Sequence, residues 1–224
     1  HVRCKGPFFF DVATSAASLI KNVHLAREYA PNSYDNLHCN RLTIYFVSQQ
    51  TAQTSLRLAK KSKTKKKKTP ARWDVDRIVA VGSPVRLVAP SFAANFTGER
   101  LEYHPRDKQI YLSDKELVRL QYGQHYCEAP QIVYQTKDFN RLGTLRAIGP
   151  GVFRSSGPEL KVAIHAKWKQ EVTLRPHRNN HVLSVHKHAD VTLDNVNHVT
   201  AQQLHVWLRE VPRRTPITKP LTTA

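Results

Sequence analysis

The chain carries twelve histidines, and imidazole nitrogens are common metal ligands and proton carriers. His186 and His188 are two apart and would share one side of an extended strand. His177 and His181 flank a polar turn, so four rings could approach one another. Imidazoles scattered over a basic chain are ordinarily solvent-facing polar residues, and the expectation is no metal site. Acid-base catalysis by paired carboxylates has little support, since acids are sparse and mostly neighbour a base. There is no Gly-rich phosphate loop, no Gly-x-Ser-x-Gly elbow and no His-Glu-x-x-His pair. Cys4, Cys39 and Cys127 have no Cys-x-x-Cys spacing and leave one over if two pair. The reading is a protein with no catalytic residues and no cofactor.

Charge is the stronger bound. The 224 residues hold 35 Lys and Arg against 17 Asp and Glu, a net charge of +18. Seven lysines crowd into residues Lys60 to Lys68, and without them the chain still carries +11. A basic body implies a polyanionic partner: nucleic acid, an anionic membrane surface or a phosphorylated glycolipid. The chain has no methionine and opens on His1, which reads as a processed chain or an excised piece, so a missing leader carries no weight. No run of eighteen apolar residues occurs to form a spanning helix. Asn95-Phe96-Thr97 fits a glycosylation triplet, a pattern common by chance.

The elements that position these groups are visible in a phrase that recurs. A Val-x-Leu pair is followed ten to sixteen residues later by a small residue, two spacers and two alternating apolar residues. The copies are Val23-x-Leu25 with Cys39-x-x-Leu42-x-Ile44, Val85-x-Leu87 with Gly98-x-x-Leu101-x-Tyr103, Val118-x-Leu120 with Ala129-x-x-Ile132-x-Tyr134, and Val191-x-Leu193 with Ala201-x-x-Leu204-x-Val206. Apolar residues two apart line one face of a strand, so each copy reads as two short strands joined by a polar turn. The small residues are 59, 31 and 72 apart. The shortest step is the bare repeat, and the longest hides a degraded unit around Val172-Thr173-Leu174. Such repetition points to stacked β units that bury their apolar faces against one another.

The sixteen apolar residues of those phrases form a candidate seam, from Val23 to Val206. Arg86, Arg100, Lys108 and Arg119 would alternate with them and face outward, as candidate anion contacts. A filled core with a basic exterior fits this pattern as well as an open groove does. His104-Pro105-Arg106-Asp107-Lys108 is expected to turn a hairpin, and Gly123 the next. Gly149-Pro150-Gly151 is expected to interrupt regular structure. Helix signals are weak; Ala13 to Ile20 and Lys115 to Leu120 fit helix, strand or turn. Residues 1–58 read as the first unit, 59–72 as a Lys-rich solvated linker, 73–211 as further units of the same stack, and 212–224 as a disordered tail.

Gly98-Glu99-Arg100-Leu101-Glu102-Tyr103-His104-Pro105, Gln109-Ile110-Tyr111-Leu112, Leu117-Val118-Arg119-Leu120 and Glu128-Ala129-Pro130-Gln131-Ile132-Val133-Tyr134 resemble the repeat unit of the OstA-like family of periplasmic lipopolysaccharide-transport proteins. Asn22-Val23-His24-Leu25, Asn36 to Leu42 and Thr200 to Leu204 repeat the pattern. The resemblance implies an all-β, open twisted β-jelly roll of antiparallel strands stacked along one axis. It further implies a non-catalytic periplasmic carrier whose apolar groove shelters the acyl chains of lipopolysaccharide or a similar anionic glycolipid. Related domains of that family join end to end. Here the open ends would be Phe8 to Val12 and Leu204 to Leu208, through β-augmentation. The alternatives are a basic nucleic-acid-binding β module and a structural envelope scaffold.

Overall fold

The computed structural model describes residues 1–48, 73–136, 143–156, 163–178, 180–194 and 196–209. The Lys60 to Lys68 run and the expected tail lie outside the described residues. The strands are β1 (Val2–Arg3), β2 (Phe8–Asp11), β3 (Ala16–Ala30), β4 (Ser33–Ser48), β5 (Trp73–Ala89), β6 (Ala94–His104), β7 (Gln109–Tyr122) and β8 (His125–Gln135). They continue as β9 (Thr144–Ile148), β10 (Gly151–Ser155), β11 (Ile164–Trp168), β12 (Glu171–His177), β13 (Asn180–Leu193) and β14 (Asn197–Arg209). The one helical turn among the described residues is a 3-10 turn at Pro90–Phe92. The fold is all-β, and among the described residues no helix is long and apolar enough to cross a membrane. Of the two segments that fit helix, strand or turn, Ala13 to Ile20 is a turn running into β3 from Ala16, and Lys115 to Leu120 lies in β7.

Every pairing is antiparallel between neighbours, so the chain is a meander of hairpins. The hairpin at His104 to Gln109 forms where the proline turn was expected, and Gly123, at φ +58°, serves the next. The expected short strands are halves of longer ones. β3, β4, β5, β6, β7 and β13 each run eleven to seventeen residues and shift register near the middle. The shifts occur beside Lys21-Asn22, Asn40, Gly82-Ser83-Pro84, Glu99, Asp114 to Leu117 and Lys187-His188. Bulges bend a strand and increase its twist, and lined up across neighbours they form a corner. β9 and β10 are likewise one strand interrupted at Gly149-Pro150, and β11 and β12 one strand interrupted at Lys169-Gln170: both halves pair with the same neighbours. The expected break at Gly149 to Gly151 is thus part of the corner, with Gly149 at φ +91°.

The corner divides the meander into two half-sheets, and each presents rows of apolar residues in register. On the first half the corner row runs Leu19, Leu42, Ala80, Leu101, Leu112, Ile132, Ala147, Val172, Val185, Leu204. On the second, Leu25, Leu37, Leu87, Phe96, Leu120, Cys127, Phe153, Ala166, Val191 and Val199 pair in sequence. Leu42 and Ile132 on one half, and Val85 and Val118 on the other, are all 0% exposed and belong to one core cluster. A sheet face reaches zero exposure only when another layer covers it. With no helix to do so among the described residues, the halves cover each other as a jelly-roll-like sandwich hinged at the corner.

Candidate functional site: the apolar space between the half-sheets

The small residue of the repeated phrase has a structural meaning. Cys39 pairs with Val23, Gly98 with Val85 and Ala129 with Val118, so each sits across from the valine of its own phrase, beside the corner. A β-branched residue against a small one keeps the row's width even where the sheet folds tightest. At Gly98 an added Cβ would lie 3.0 Å from the Phe96 ring. The last copy is offset by two residues: Ala201 pairs with Ala189, and Val191 with Val199. Lys187 and His188 have positive φ, as Lys21 and Asn22 do, so Ala189-x-Val191 is the counterpart of Val23-x-Leu25. The hidden unit is the pair β9/β10 and β11/β12. There the sizes are exchanged: Gly151 pairs with Trp168, and the indole Nε1 donates to the Gly149 carbonyl at 2.7 Å.

Away from the corner burial is uneven. Val23, Val85, Val118, Leu42, Leu101, Ile132 and Val191 are buried. Leu25, Leu87, Leu120, Tyr103, Leu193, Leu204 and Val206 are partly buried and pack against that core, and Ile44 and Tyr134 are partly buried as well. On the first half-sheet Ile44, Ile78, Tyr103, Ile110, Tyr134 and Leu145 form a half-buried second row, and its continuation Leu174 and Leu183 is buried. On this half-sheet the apolar face is therefore partly wetted from β4 to β9 and buried at β12 and β13. Burial raises the Tyr103 and Tyr134 phenols, so both rings are neutral apolar walls at physiological pH. Shallow depressions lie elsewhere, at the β7–β8 turn around Gln124 and on the outer face beside Glu102.

A polar group lies beyond Leu37 on the second half-sheet. Asp35, 6% exposed, accepts from Ser91 N at 3.1 Å, Ser91 Oγ at 2.7 Å and the Arg27 guanidinium. Burial raises its carboxyl, but the bonds from Ser91 and Arg27 prevail and hold it below the ordinary value. Arg27 also lies over the Phe92 ring at 5.1 Å.

The cationic candidates divide. Arg86 and Arg119 are exposed on the outer face of the second half-sheet, and Arg119 Nε pairs with Glu128 at 3.1 Å. Arg100, on the outer face of the first, meets Glu102 at 2.6 Å. Glu102 also takes His104 at 2.9 Å and Arg77 at 3.6 Å, a hub the sequence reading missed. Lys108 sits in the β6–β7 turn at φ +48°, not on a strand, and its carbonyl accepts from Thr136 N at 3.2 Å. His177, His181, His186 and His188 do not gather at one point of the sheet. The bulge at Lys187-His188 breaks the alternation that would have aligned His186 with His188, and no metal-ligating group of three occurs among the described residues. Burial pushes the Cys39 thiol up to about 11 and the Cys127 thiol up to about 12, which leaves both as packing residues.

No family model matches the chain, and no curated protein sequence matches it.

Proposed function

We propose that this chain is a non-catalytic carrier that shelters the acyl chains of an anionic glycolipid, of the lipopolysaccharide kind, between its half-sheets, and that it works in the periplasm. The observation that carries this reading is the half-buried second row. Ile44, Ile78, Tyr103, Ile110 and Tyr134 on one half stand, partly wetted, in front of a buried row, and the second row of the other half alternates partly wetted Leu25, Leu87 and Leu120 with buried Leu37, Phe96 and Cys127. A protein that needed only stability would gain by closing that seam, since each buried CH₂ contributes about 0.8 kcal/mol. The same coefficient gives an acyl chain of about a dozen carbons roughly 9 kcal/mol of reluctance to enter water. A continuous apolar seam offsets that barrier without bond chemistry. The basic body also suits nucleic acid, but the apolar rows would have no part in such binding.

The test is photo-crosslinking in cells with a reactive residue at Leu120 or Tyr103. These positions are half-buried, so the fold tolerates the probe better than at buried Leu101 or Ile132. An adduct with the mass of a glycolipid is expected there and not at Tyr111, which faces outward and is 39% exposed. Equal labelling at all three, or none at Leu120 and Tyr103, contradicts the proposal.

A further inference from the structure

The meander ends on a long strand with one side open. Among the described residues β14, thirteen residues long, pairs with β13 alone. The N–H and C=O groups on its other side are a template for a further strand, and such edges are usually blunted by charge, proline, a bulge or brevity. This one is not. Between Asn197 and Leu208 the sequence holds no Lys, Arg, Asp, Glu or Pro, and Trp207 and Val199 are 61% and 41% exposed. The edge at the start of the meander is built differently: β1 has two residues and β2 four, with Cys4 to Pro7 between them, and Arg3 and Asp11 add charge.

The strand is also self-complementary. Val199 and Ala201 pair with Val191 and Ala189 on one side of the corner, and Leu204 and Val206 with Val185 and Leu183 on the other. Those four partners are at most 1% exposed, so Val199, Ala201, Leu204 and Val206 line the inner face. His198, Thr200, His205 and Trp207 alternate with them and take the outer face. The alternation breaks once, at Gln202-Gln203 in the middle of the strand, where β13 carries its bulge. A second β14 laid antiparallel, with Gln202 on Gln203 and Gln203 on Gln202, sets Val199 on Val206 and Ala201 on Leu204 inside. Outside, it sets Thr200 on His205 and His198 on Trp207. Break falls on break, every side chain keeps its own face as pairing requires, and no two like charges are opposed.

We propose that two copies of this chain join tail to tail through β14, as a closed pair with two-fold symmetry. In such a pair each patch meets its own copy, and this is the commonest assembly of soluble chains. The rival is a head-to-tail join of β14 to the first edge of the next copy. With two residues in β1 and four in β2, that join leaves more than half of the thirteen residues of β14 without a strand partner. The symmetric join pairs both strands along their length. It also runs the inner face of one copy into that of the other, so Val199, Leu204 and Val206, at the margin of the core, gain cover. The inference stands apart from the carrier reading, because the edge would pair whether or not the seam holds a lipid.

The experiment combines light scattering of the full chain over a concentration series with cysteine pairing in a Cys4→Ser background, where Cys39 and Cys127 are buried. A mass that rises to two chains and stops there is expected, because a two-fold join closes on itself, whereas head-to-tail joining keeps growing. Directly opposed residues of an antiparallel pair have Cα atoms about 4.5 to 5.5 Å apart, within disulfide reach. Thr200→Cys mixed with His205→Cys under mild oxidation should therefore give a cross-linked dimer with one chain of each, and neither variant should cross-link alone. Val199→Lys, at an exposed position, should return the chain to a monomer with an unchanged circular dichroism spectrum. The proposal fails if the parent stays monomeric throughout, if its mass grows past two chains, or if Val199→Lys leaves the dimer intact. It fails equally if Trp207→Cys cross-links to Phe9→Cys while Thr200→Cys does not cross-link to His205→Cys.

Discussion

Replacing Ile132 by alanine probes the covering of one half-sheet by the other. Ile132 is 0% exposed, with Leu112 and Ala147 as its cross-strand neighbours. The change removes three carbons, about 2.5 kcal/mol of transfer free energy at about 0.8 kcal/mol each. A cavity term is added, and since Ala147 has no atoms to move into the gap, the total should reach about 4 kcal/mol. For a chain of this size that lowers the thermal midpoint by roughly 8 to 16 °C. Val88, 46% exposed, supplies the control: Val88→Ala should cost under about 0.5 kcal/mol. Thermal melts and urea titrations followed by circular dichroism read both. A cost for Ile132→Ala within about 1 kcal/mol of the control would mean that no second layer covers this row, and the reasoning from burial would be wrong.

Native thiol titration should find Cys4, partly exposed with its Sγ on the Gly6 carbonyl, reacting ahead of buried Cys39 and Cys127; equal rates for all three would contradict their burial. Asp35 has its pKa lowered by folding, so its stabilising contribution is present above the unfolded value and is lost as pH falls through the lower folded one. Asp35→Asn should cost about 1 to 3 kcal/mol at neutral pH and flatten the acid limb of the stability curve; an unchanged limb would remove Asp35 from that role. Gly151→Ala places a Cβ 2.4 Å from Trp168 Cζ2 and 2.3 Å from the Glu128 carbonyl oxygen, and should lower stability by about 1 to 3 kcal/mol; a neutral result would show that the β10–β11 corner has room to spare.

The inner rows were legible because alternation survives any even register shift. Val191 and Leu193 were placed two residues off their counterparts, yet both remained on the apolar face. The proline turn at His104 and the glycine turn at Gly123 were legible because their residues set φ directly. The corner was not. Its residues are Lys21-Asn22 in one strand, Gly82-Ser83-Pro84 in another and Lys187-His188 in a third. Each solves the same bend with different chemistry, so no common motif marks it. The unit from Thr144 to His177 was nearly invisible because Gly151 and Trp168 exchange the large and small roles. Ala13 to Ile20 fits helix, strand or turn locally, and the pairing of Ala16 to Leu19 with both β2 and β4 selects strand there.

Native mass spectrometry of the protein purified without detergent from a Gram-negative host tests the carrier claim most directly. The expected spectrum holds a second charge-state series heavier by one glycolipid, lost on collisional activation and reduced when Leu120 or Tyr103 is replaced by aspartate. A spectrum of the bare chain alone, from a preparation shown to be folded by the cooperative melt of the parent protein, contradicts the claim.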